Sequence, residues 1–136
     1  MYFITMCTQE RQCVFGHVVD GGVHLNGHGK IAEICWQAIP QHFPHVTVDA
    51  FVIMPNHIHG IIAVGARHAV PLRPQVECFR KSVNGSIPTI VRSYKSAVIK
   101  RINESRATPG LPIWQRNYYE HIIRNEKSLD RIREYI

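Results

Sequence analysis

The sequence predicts an α+β fold in which helices cover an antiparallel sheet, and three observations carry this prediction. Two apolar runs, 46–54 and 57–64, are separated by only two residues and have the composition of paired antiparallel strands. Apolar residues recur at helical spacing between 29 and 43 and again after 86. A block rich in aromatic and β-branched residues, 113–123, then precedes a last amphipathic segment. Strands and helices interspersed in this way predict a layered sandwich.

The N-terminal part of the chain is expected to be mostly strand. Tyr2 to Thr8 alternate and include Tyr, Phe, Ile and Thr, which favours a strand. Two shorter strands are expected at Arg11 to Phe15 and at Val18 to Leu25, around the turn residues Asp20-Gly21-Gly22. A first helix is predicted from about Gly29 to Phe43, where a following proline ends it.

The two apolar runs in the middle of the chain are predicted to be central strands, because they are apolar almost throughout. Strict alternation along the first run puts its even-numbered residues, from Val46 to Met54, on one face and its odd-numbered residues, from Thr47 to Ile53, on the other. The short Pro55-Asn56 connection makes the two strands antiparallel neighbours.

A long loop and a second helix are expected next. Gly65 to Gly85 is rich in Pro, Arg and Lys, and it fits either an arm that contacts nucleic acid or a solvated insertion. Ser86 is the expected cap of the second helix, with Pro88 in its first turn. Between 86 and 106 the sequence has one acidic residue, Glu104, and five basic residues: Arg92, Lys95, Lys100, Arg101 and Arg106. Charge runs are usually solvated faces, but this excess favours a surface that contacts phosphates.

A last helix is predicted from Glu126 to Ile136, with Asn125 as its N-cap. Tyr135 lies about 60° from the apolar stripe of this helix, so its ring can pack while its hydroxyl stays open. The buried stripe is expected to hold three residues, Leu129, Ile132 and Ile136. With one strand inside Ile113 to Ile123, the order is β-α-β-β-α-β plus a helix. This is the order of a ferredoxin-like (RRM-like) antiparallel sheet with helices on one face and a C-terminal helix that carries a tyrosine.

Composition limits the class of protein. The chain has 136 residues, 45% hydrophobic and 19% charged, which is typical of a single globular domain. It has no apolar run of 18 residues and no basic leader, so we expect neither a transmembrane helix nor a signal peptide, and a cytoplasmic protein. The four cysteines are scattered and are expected to be reduced thiols. The net charge of +6 favours nucleic acid as a partner.

Two histidines follow the corner between the middle strands. On a strand, His57 and His59 would lie on the same face, about 6–7 Å apart by the rise per residue, with Ile58 pointing the other way. Two neutral imidazoles in this arrangement can bind a metal ion. The same spacing also fits two polar residues on the exposed face of a half-buried strand, because the chain has nine histidines.

Four ordered blocks of the chain resemble one family: YFITMCTQERQCVFG, FVIMPNHIHGII, SIPTIVRSYKSAVIKRIN and IWQRNYYEHIIRNEKSLDRIREYI. Together they resemble the single-tyrosine HUH transposases, and most closely the REP-associated tyrosine transposase branch. The resemblance implies that His57 and His59 bind one divalent cation, Mg²⁺ or Mn²⁺. It implies that Tyr135 attacks single-stranded DNA beside or within a hairpin, leaving a 5′-phosphotyrosine link and a free 3′-OH. It also implies a nucleoid-associated protein, and it leaves a homodimer open.

Other residues take expected roles from this reading. Tyr94, Tyr118 and Tyr119 are rival nucleophiles, of which Tyr94 is expected in the core because it lies on the apolar face of the second helix. One of Tyr118 and Tyr119 is expected to pack and the other to stack on a base. The residues expected to contact DNA are basic: Arg92, Lys95, Lys100, Arg101 and Arg116.

The sequence departs from the family pattern at its end. Family members carry a third metal ligand one helical turn after the tyrosine, and this chain stops at Ile136. We therefore expect a domain, residues 1–136, that is truncated at its C-terminus. The first strand starts directly after Met1, which suggests an earlier natural start as well.

Two other functions compete with this one. The first is a module on the same fold that binds single-stranded nucleic acid without cutting it. The second is a histidine-based hydrolase of another kind, for which Asp49 is the only nearby acid. The DNA-nicking enzyme and the binding module differ in whether His57, His59 and a third ligand together bind a metal ion.

Overall fold

The computed structural model describes residues 1–65, 86–106 and 112–136. The secondary structure follows the chain in this order: β1 (Tyr2–Cys7), a 3-10 turn (Gln9–Arg11), β2 (Gly16–Val19), β3 (Gly22–Leu25), α1 (Gly27–Gln37), α2 (Ile39–His42), β4 (Val46–Met54), β5 (His57–Val64), α3 (Ile87–Arg106), β6 (Tyr119–Ile122) and α4 (Glu126–Tyr135). The predicted loop at Gly65 to Gly85 falls almost wholly outside these described residues. None of the helices within the described ranges has the length and apolarity that a membrane crossing needs.

Four strands form one antiparallel sheet in the order β4-β5-β1-β6. With α1 between β1 and β4 and α3 between β5 and β6, this confirms the predicted ferredoxin-like α+β sandwich. One position was predicted wrongly, because β4 is an edge strand and β1 is the second central strand. The apolarity of β4 reflects α1 and α2, which pack against it, and not strand neighbours on both sides.

The main core lies between one face of the sheet and the helices α1 and α3. Ile4 of β1 and Ile58 of β5 are fully buried there, together with Trp36 of α1 and Ile90 of α3. The ring of Trp36 lies directly over Gly60 of β5, where a side chain would collide with it. Residues that alternate with these core residues along β1 and β5 must therefore face the other side of the sheet.

The segment between β1 and the hairpin is not the strand that was predicted at Arg11 to Phe15. It turns back over the corner between β4 and β5, where the backbone N–H of Phe15 donates to Pro55 O at 3.0 Å. The Thr8 hydroxyl lies 2.7 Å from Gln12 O and 3.0 Å from Asn56 O, which fixes the turn. The hairpin itself is confirmed as β2 and β3, although it forms a separate two-stranded sheet.

The first predicted helix is divided into α1 and α2. It starts at Gly27, two residues earlier than predicted, after the N-cap Asn26, whose Oδ1 accepts a hydrogen bond of 2.9 Å from the backbone N–H of Gly29. It breaks at Ala38 because Pro40 has no N–H to continue the hydrogen-bond ladder. The second predicted helix is confirmed as α3.

Candidate active site

His57 and His59 lie side by side on the sheet face opposite the main core. Ile58 between them is fully buried in the core, so the two histidines alternate to the other side of β5. The centroids of the two imidazole rings are 4.6 Å apart, and the ring planes are inclined by 71°. The rings are therefore close enough to act on one ligand.

Each imidazole is held by a hydrogen bond at Nδ1. His57 Nδ1 lies 2.6 Å from Asn56 Oδ1, and His59 Nδ1 lies 2.8 Å from the Thr5 hydroxyl oxygen. An amide oxygen only accepts, so Nδ1 of His57 carries the proton and its Nε2 keeps a lone pair. The Thr5 hydroxyl can accept from the same tautomer of His59. Hydrogen bonds of this kind orient histidines that bind metal ions through the other nitrogen.

Both imidazoles are electrically neutral at pH 7. Burial, reinforced by the neighbouring His57, lowers the pKa of His59 from 6.5 to about 4. Burial also lowers the pKa of His57, with a smaller contribution from the positive charge of Arg11. A neutral imidazole is the form that binds a metal ion, so the environment of the pair favours binding.

Tyr135, near the end of α4, contacts one member of this pair, His59. Asn125 caps the helix, because its Oδ1 accepts a hydrogen bond of 2.8 Å from the backbone N–H of Ser128. The Tyr135 ring centroid is 5.4 Å from that of His59 and 6.4 Å from that of Phe3, and both contacts are edge-on. Tyr135 is still 69% exposed, so its ring makes contacts while much of its surface stays open to solvent.

The last helix packs on the opposite side of the sheet from α1 and α3. Its tyrosine contacts Phe3 and His59, which alternate with the core residues of their strands. The prediction of a buried stripe on this helix was wrong, because α4 buries no residue. The apolar side chains that were expected to form it are half-buried: Leu129, Ile132 and Ile136.

A β-bulge in β4 orients the Asp49 side chain toward α4. The pairing of β4 with β5 shifts between Val48 and Phe51, and both of these residues pack against the core. Strict alternation had placed them on opposite faces, which is wrong because the bulge adds an unpaired residue. The Asp49 carboxylate accepts hydrogen bonds of 3.1 Å from Arg133 Nε and 2.5 Å from Arg133 Nη2. This bidentate ion pair ties the end of α4 to the sheet.

Acid is expected to loosen α4, because the ion pair needs an ionised Asp49. The hydrogen bond from Arg133 lowers the pKa of Asp49 below 3.8. A lowered pKa stabilises the folded state above the unfolded pKa, and this contribution is lost as the pH falls through the folded pKa. The contact should therefore hold from pH 7 to pH 5 and be lost only as the pH falls through the folded pKa, which lies below 3.8. The ring signals of Tyr135 in NMR spectra would report the change.

Two variants at pH 7 test the same contact. Asp49→Asn is expected to speed amide hydrogen exchange within α4 while exchange in β1 and β5 is unchanged. Asp130→Asn is the matched control, because Asp130 contacts Arg133 only at 3.5 Å within the helix. Equal exchange rates in the wild type and Asp49→Asn would show that the ion pair does not hold the helix.

The other tyrosines have different surroundings. Tyr94 is in the core, as its place on the apolar face of α3 predicted; its hydroxyl donates to Ala32 O at 2.9 Å, and burial raises its pKa. Tyr119 is 59% exposed and pairs with Thr5 of β1, so it faces the histidine side of the sheet. Tyr118 is half-buried against the main core, and burial raises its pKa.

The structure separates the five basic residues expected to contact DNA into two groups. It does not bring either group to the histidine pair. Arg92, Lys95 and Arg116 line one groove of about 340 Å³ beside α3, and Lys100 and Arg101 do not. The Lys95 ammonium donates to the carbonyl oxygens of residues 115 and 117 at 2.9 and 3.1 Å, so it braces the protein's own backbone.

The donor atoms at the histidine pair fit a divalent cation only in part. Among the residues that the structure describes, no group of three His, Cys, Asp or Glu side chains could hold a metal ion. Two neutral imidazoles could hold a cation whose other ligands are water or phosphate oxygens. Mg²⁺ and Mn²⁺ both suit oxygen ligands, so the two imidazoles alone fit neither ion fully, and oxygen atoms would have to supply the remaining ligands of either one.

Sequence reasoning missed the residues that support the site. Thr5 and Arg133 had no assigned role, although each contacts a residue that did. The only signal for Thr5 is its register opposite His59, which requires the pairing of β1 with β5. The signal for Arg133 is its position two residues before Tyr135, but its partner depends on the bulge in β4.

Comparison with known proteins shows which fold and which relative the chain shares. No family model matches the chain. Two solved structures share its fold: a putative transposase from Deinococcus radiodurans (TM-score 0.58, 16% identity, covering 98% of this chain and 85% of that one) and a REP-associated tyrosine transposase bound to a REP hairpin (TM-score 0.62, 17% identity, covering 99% and 62%). An uncharacterised protein of Haemophilus influenzae is 42% identical over 140 residues, covering 99% of this chain and 77% of that protein. The chain therefore has a transposase-like fold and belongs to the same family as this Haemophilus influenzae protein.

Proposed function

We propose that this protein nicks single-stranded DNA and transfers the cut strand through a 5′-phosphotyrosine intermediate on Tyr135. His57 and His59 would hold the divalent cation, Mn²⁺ or Mg²⁺. The observation that carries this proposal is the contact of the Tyr135 ring with His59, at 5.4 Å between centroids. The helix α4 and the central strand β5, far apart in sequence, here bring a tyrosine against one of two neighbouring neutral imidazoles.

The reaction exchanges one ester for another. The Tyr135 oxygen attacks the phosphorus and forms a new O–P bond, while the bond from phosphorus to the 3′ oxygen breaks. The tyrosine proton leaves to solvent or a nearby base, and the departing 3′ oxygen takes up a proton. The bond energy is kept in the phosphotyrosine, so a 3′-OH can rejoin the strand by the reverse attack without ATP.

The residues of the site have separate roles in the proposed reaction. A bound cation would act as a Lewis acid on the scissile phosphate. His57 offers an Nε2 lone pair because its Nδ1 donates to Asn56, and His59 offers one in the tautomer whose Nδ1 donates to the Thr5 hydroxyl. A tyrosine hydroxyl is a poor nucleophile at neutral pH, so its position matters. That position depends on α4, which the ion pair of Arg133 ties to the sheet.

The substrate we propose is single-stranded DNA from hairpin-forming repeats. One protein with the same fold is a transposase bound to a REP hairpin, which supports DNA of this kind as the partner. The net charge of +6 supports a polyanionic substrate in general.

The test is capture of the covalent intermediate. Labelled single-stranded DNA hairpins are incubated with the protein and Mn²⁺ and then resolved on a denaturing protein gel. We expect a DNA–protein band with the wild type that is absent with Tyr135→Phe. Tyr119→Phe is the matched control, because Tyr119 is exposed on the same face of the sheet and should leave the band intact. A band that persists in Tyr135→Phe would refute the assignment.

The second candidate function is a binding module that grips single-stranded nucleic acid without cutting it. It is favoured by the donor count, because the described residues offer no third His, Cys, Asp or Glu ligand beside the pair. The same gel separates the two functions. Hairpin binding without a covalent band, across Mn²⁺ and Mg²⁺, would support the binding module.

The hydroxyl of Thr5 is expected to raise the affinity of the histidine pair for metal. Thr5→Val keeps the shape and strand preference of the side chain but removes the partner of His59 Nδ1. Loss of such a partner typically costs about 10–100-fold in metal affinity. Titration with Mn²⁺ by calorimetry would measure it, with Thr47→Val on the exposed side of β4 as the control. Equal affinity in Thr5→Val and the wild type would show that the hydroxyl has no such role.

A further inference from the structure

A second candidate site lies on the other side of the sheet from the histidines. A groove of about 340 Å³ runs between α3 and the segment that leads into β6. We name it the α3 groove, and its lining includes Arg92, Lys95, Ser96, Ile99, Arg116 and Tyr118. Its volume is at the small end of the range of ligand pockets, about 300–1,000 Å³, so it suits a ligand of nucleotide size and not a duplex.

The charge of the α3 groove suits a phosphate. Arg92 comes from the helix and Arg116 from the facing segment, and both are exposed. No acidic residue lines the groove, and within the described parts of the chain neither arginine forms a salt bridge with an acid. Lys95 holds the backbone on both sides of Arg116 through its two carbonyl contacts, so the second arginine projects from a fixed segment.

The aromatic residue in the groove suits a base. Tyr118 is half-buried, so its ring is held against the protein while part of it remains open. Glu120 is close enough to Tyr118 to contribute, after burial, to the raised pKa of its hydroxyl. A cationic groove beside an aromatic ring is the usual means of binding single-stranded nucleic acid, in which phosphates meet arginines and bases stack.

Neighbouring tyrosines connect the α3 groove with the histidine side. Tyr118 lines the groove, whereas Tyr119 pairs with Thr5 and faces the histidines. The two belong to the edge of the sheet, because β6 is the outer strand and all four of its residues are exposed. A single strand that crosses this edge would therefore pass from one tyrosine to the next.

We infer that the α3 groove binds one nucleotide of a single strand, with its phosphate on Arg92 and Arg116 and its base on Tyr118. The strand then crosses β6 toward Tyr135. This inference rests on the proposed function for the identity of the strand and extends it to a second contact on the far side of the sheet.

The test is fluorescence anisotropy with a labelled oligodeoxythymidylate in EDTA, where no cleavage occurs. Arg92→Ala and Arg116→Ala are each expected to weaken binding by roughly fivefold or more and to reduce the salt dependence by about one phosphate contact. Tyr118→Leu is expected to weaken binding by roughly fivefold or more, but to have little effect on an abasic oligonucleotide of the same length. Circular dichroism would show that each variant is folded.

Lys30→Ala is the matched control, because it removes the same charge from an exposed helical position, in α1, outside the groove and without an expected role in DNA binding. It should change affinity by less than about twofold. An equal loss in Lys30→Ala and Arg92→Ala would overturn the inference, as would an equal effect of Tyr118→Leu on both oligonucleotides. A covalent band in the wild type with unchanged affinity in the arginine variants would keep the proposed nuclease and reject the groove. Weaker DNA binding in the groove variants, without any covalent band in the wild type, would keep the groove and reject the proposed nuclease.

Discussion

Gly60→Ala is expected to destabilise the protein strongly. A Cβ at this position would lie 2.1 Å from Trp36 Cζ2 and 2.6 Å from Cη2. The indole cannot move aside, because it is 1% exposed and lies against Phe51 and Tyr94, with ring centroids 6.0 and 5.4 Å away. The added methyl must therefore push apart β5 and α1 at the centre of the core.

The expected cost is about 3 kcal/mol or more, at or above the usual range for overpacking. This is a large part of the stability of a typical domain, about 5–15 kcal/mol. Urea denaturation followed by tryptophan fluorescence would measure it. Gly27→Ala, at the start of α1, is the matched control, because nothing lies within 4 Å of its added Cβ. That substitution should change stability by less than about 0.5 kcal/mol.

A double variant tests the proposed cause. Trp36→Phe shortens the ring, and Trp36 Nε1 has no hydrogen-bond partner among the described residues, so the change breaks no such bond. Gly60→Ala should therefore cost less in the Trp36→Phe background than in the wild type. Equal costs in the two backgrounds would show that contact with the indole is not the source of the effect.

His59→Gln is expected to reduce formation of the covalent DNA band by about 100-fold or more. Substitutions in residues that only support a metal ligand cost about 10–100-fold, and loss of a ligand should cost at least as much. His59 also carries the contact to Tyr135, so the substitution removes two features of the site together. Band formation in the presence of Mn²⁺ is the measurement, and a band of wild-type intensity would contradict the assignment.

A control variant tests whether the loss is specific to His59, and the pH dependence of Mn²⁺ binding tests whether His59 stays neutral. His24→Gln, in the separate hairpin, removes an imidazole away from the site and should leave band formation intact. In the wild type, the lowered pKa of about 4 keeps His59 neutral as the pH falls from 7 to 5. Binding of Mn²⁺ through His59 should therefore persist below pH 6.5, where an ordinary histidine would become protonated.

Much of the fold could be predicted because the sequence signals were local. The corner at Pro55-Asn56, the helical spacing in α3 and the cap at Asn125 each depend on residues close together in the chain. What failed depended on distant partners. The segment around Arg11 resembles a strand, but its hydrogen-bonding groups meet the corner between β4 and β5. The position of β4 at the edge depends on the pairing of β5 with β1, which ends at Cys7, far from Val46 in the chain.

The candidate site was predictable only in part, for the same reason. The shared face of His57 and His59 follows from the period of a strand, and the structure brings them together. The placement of Tyr135 against them follows from no periodicity, because α4 is joined to the sheet by a few surface contacts and buries no residue. The resemblance to a family supplied that residue. Physical reasoning from the sequence alone could not have chosen it over Tyr119, which is also exposed.

The bulge in β4 makes this part of the chain sensitive to length as well as to composition. Removing one residue between Val48 and Phe51 would leave the side-chain types nearly unchanged but restore strict alternation. The residues before the bulge would then exchange faces, so that Val46 and Val48 would leave the core. We therefore expect related sequences to tolerate substitutions at Asp49 and Ala50 more readily than deletions or insertions. An alignment gap should rarely open at this point.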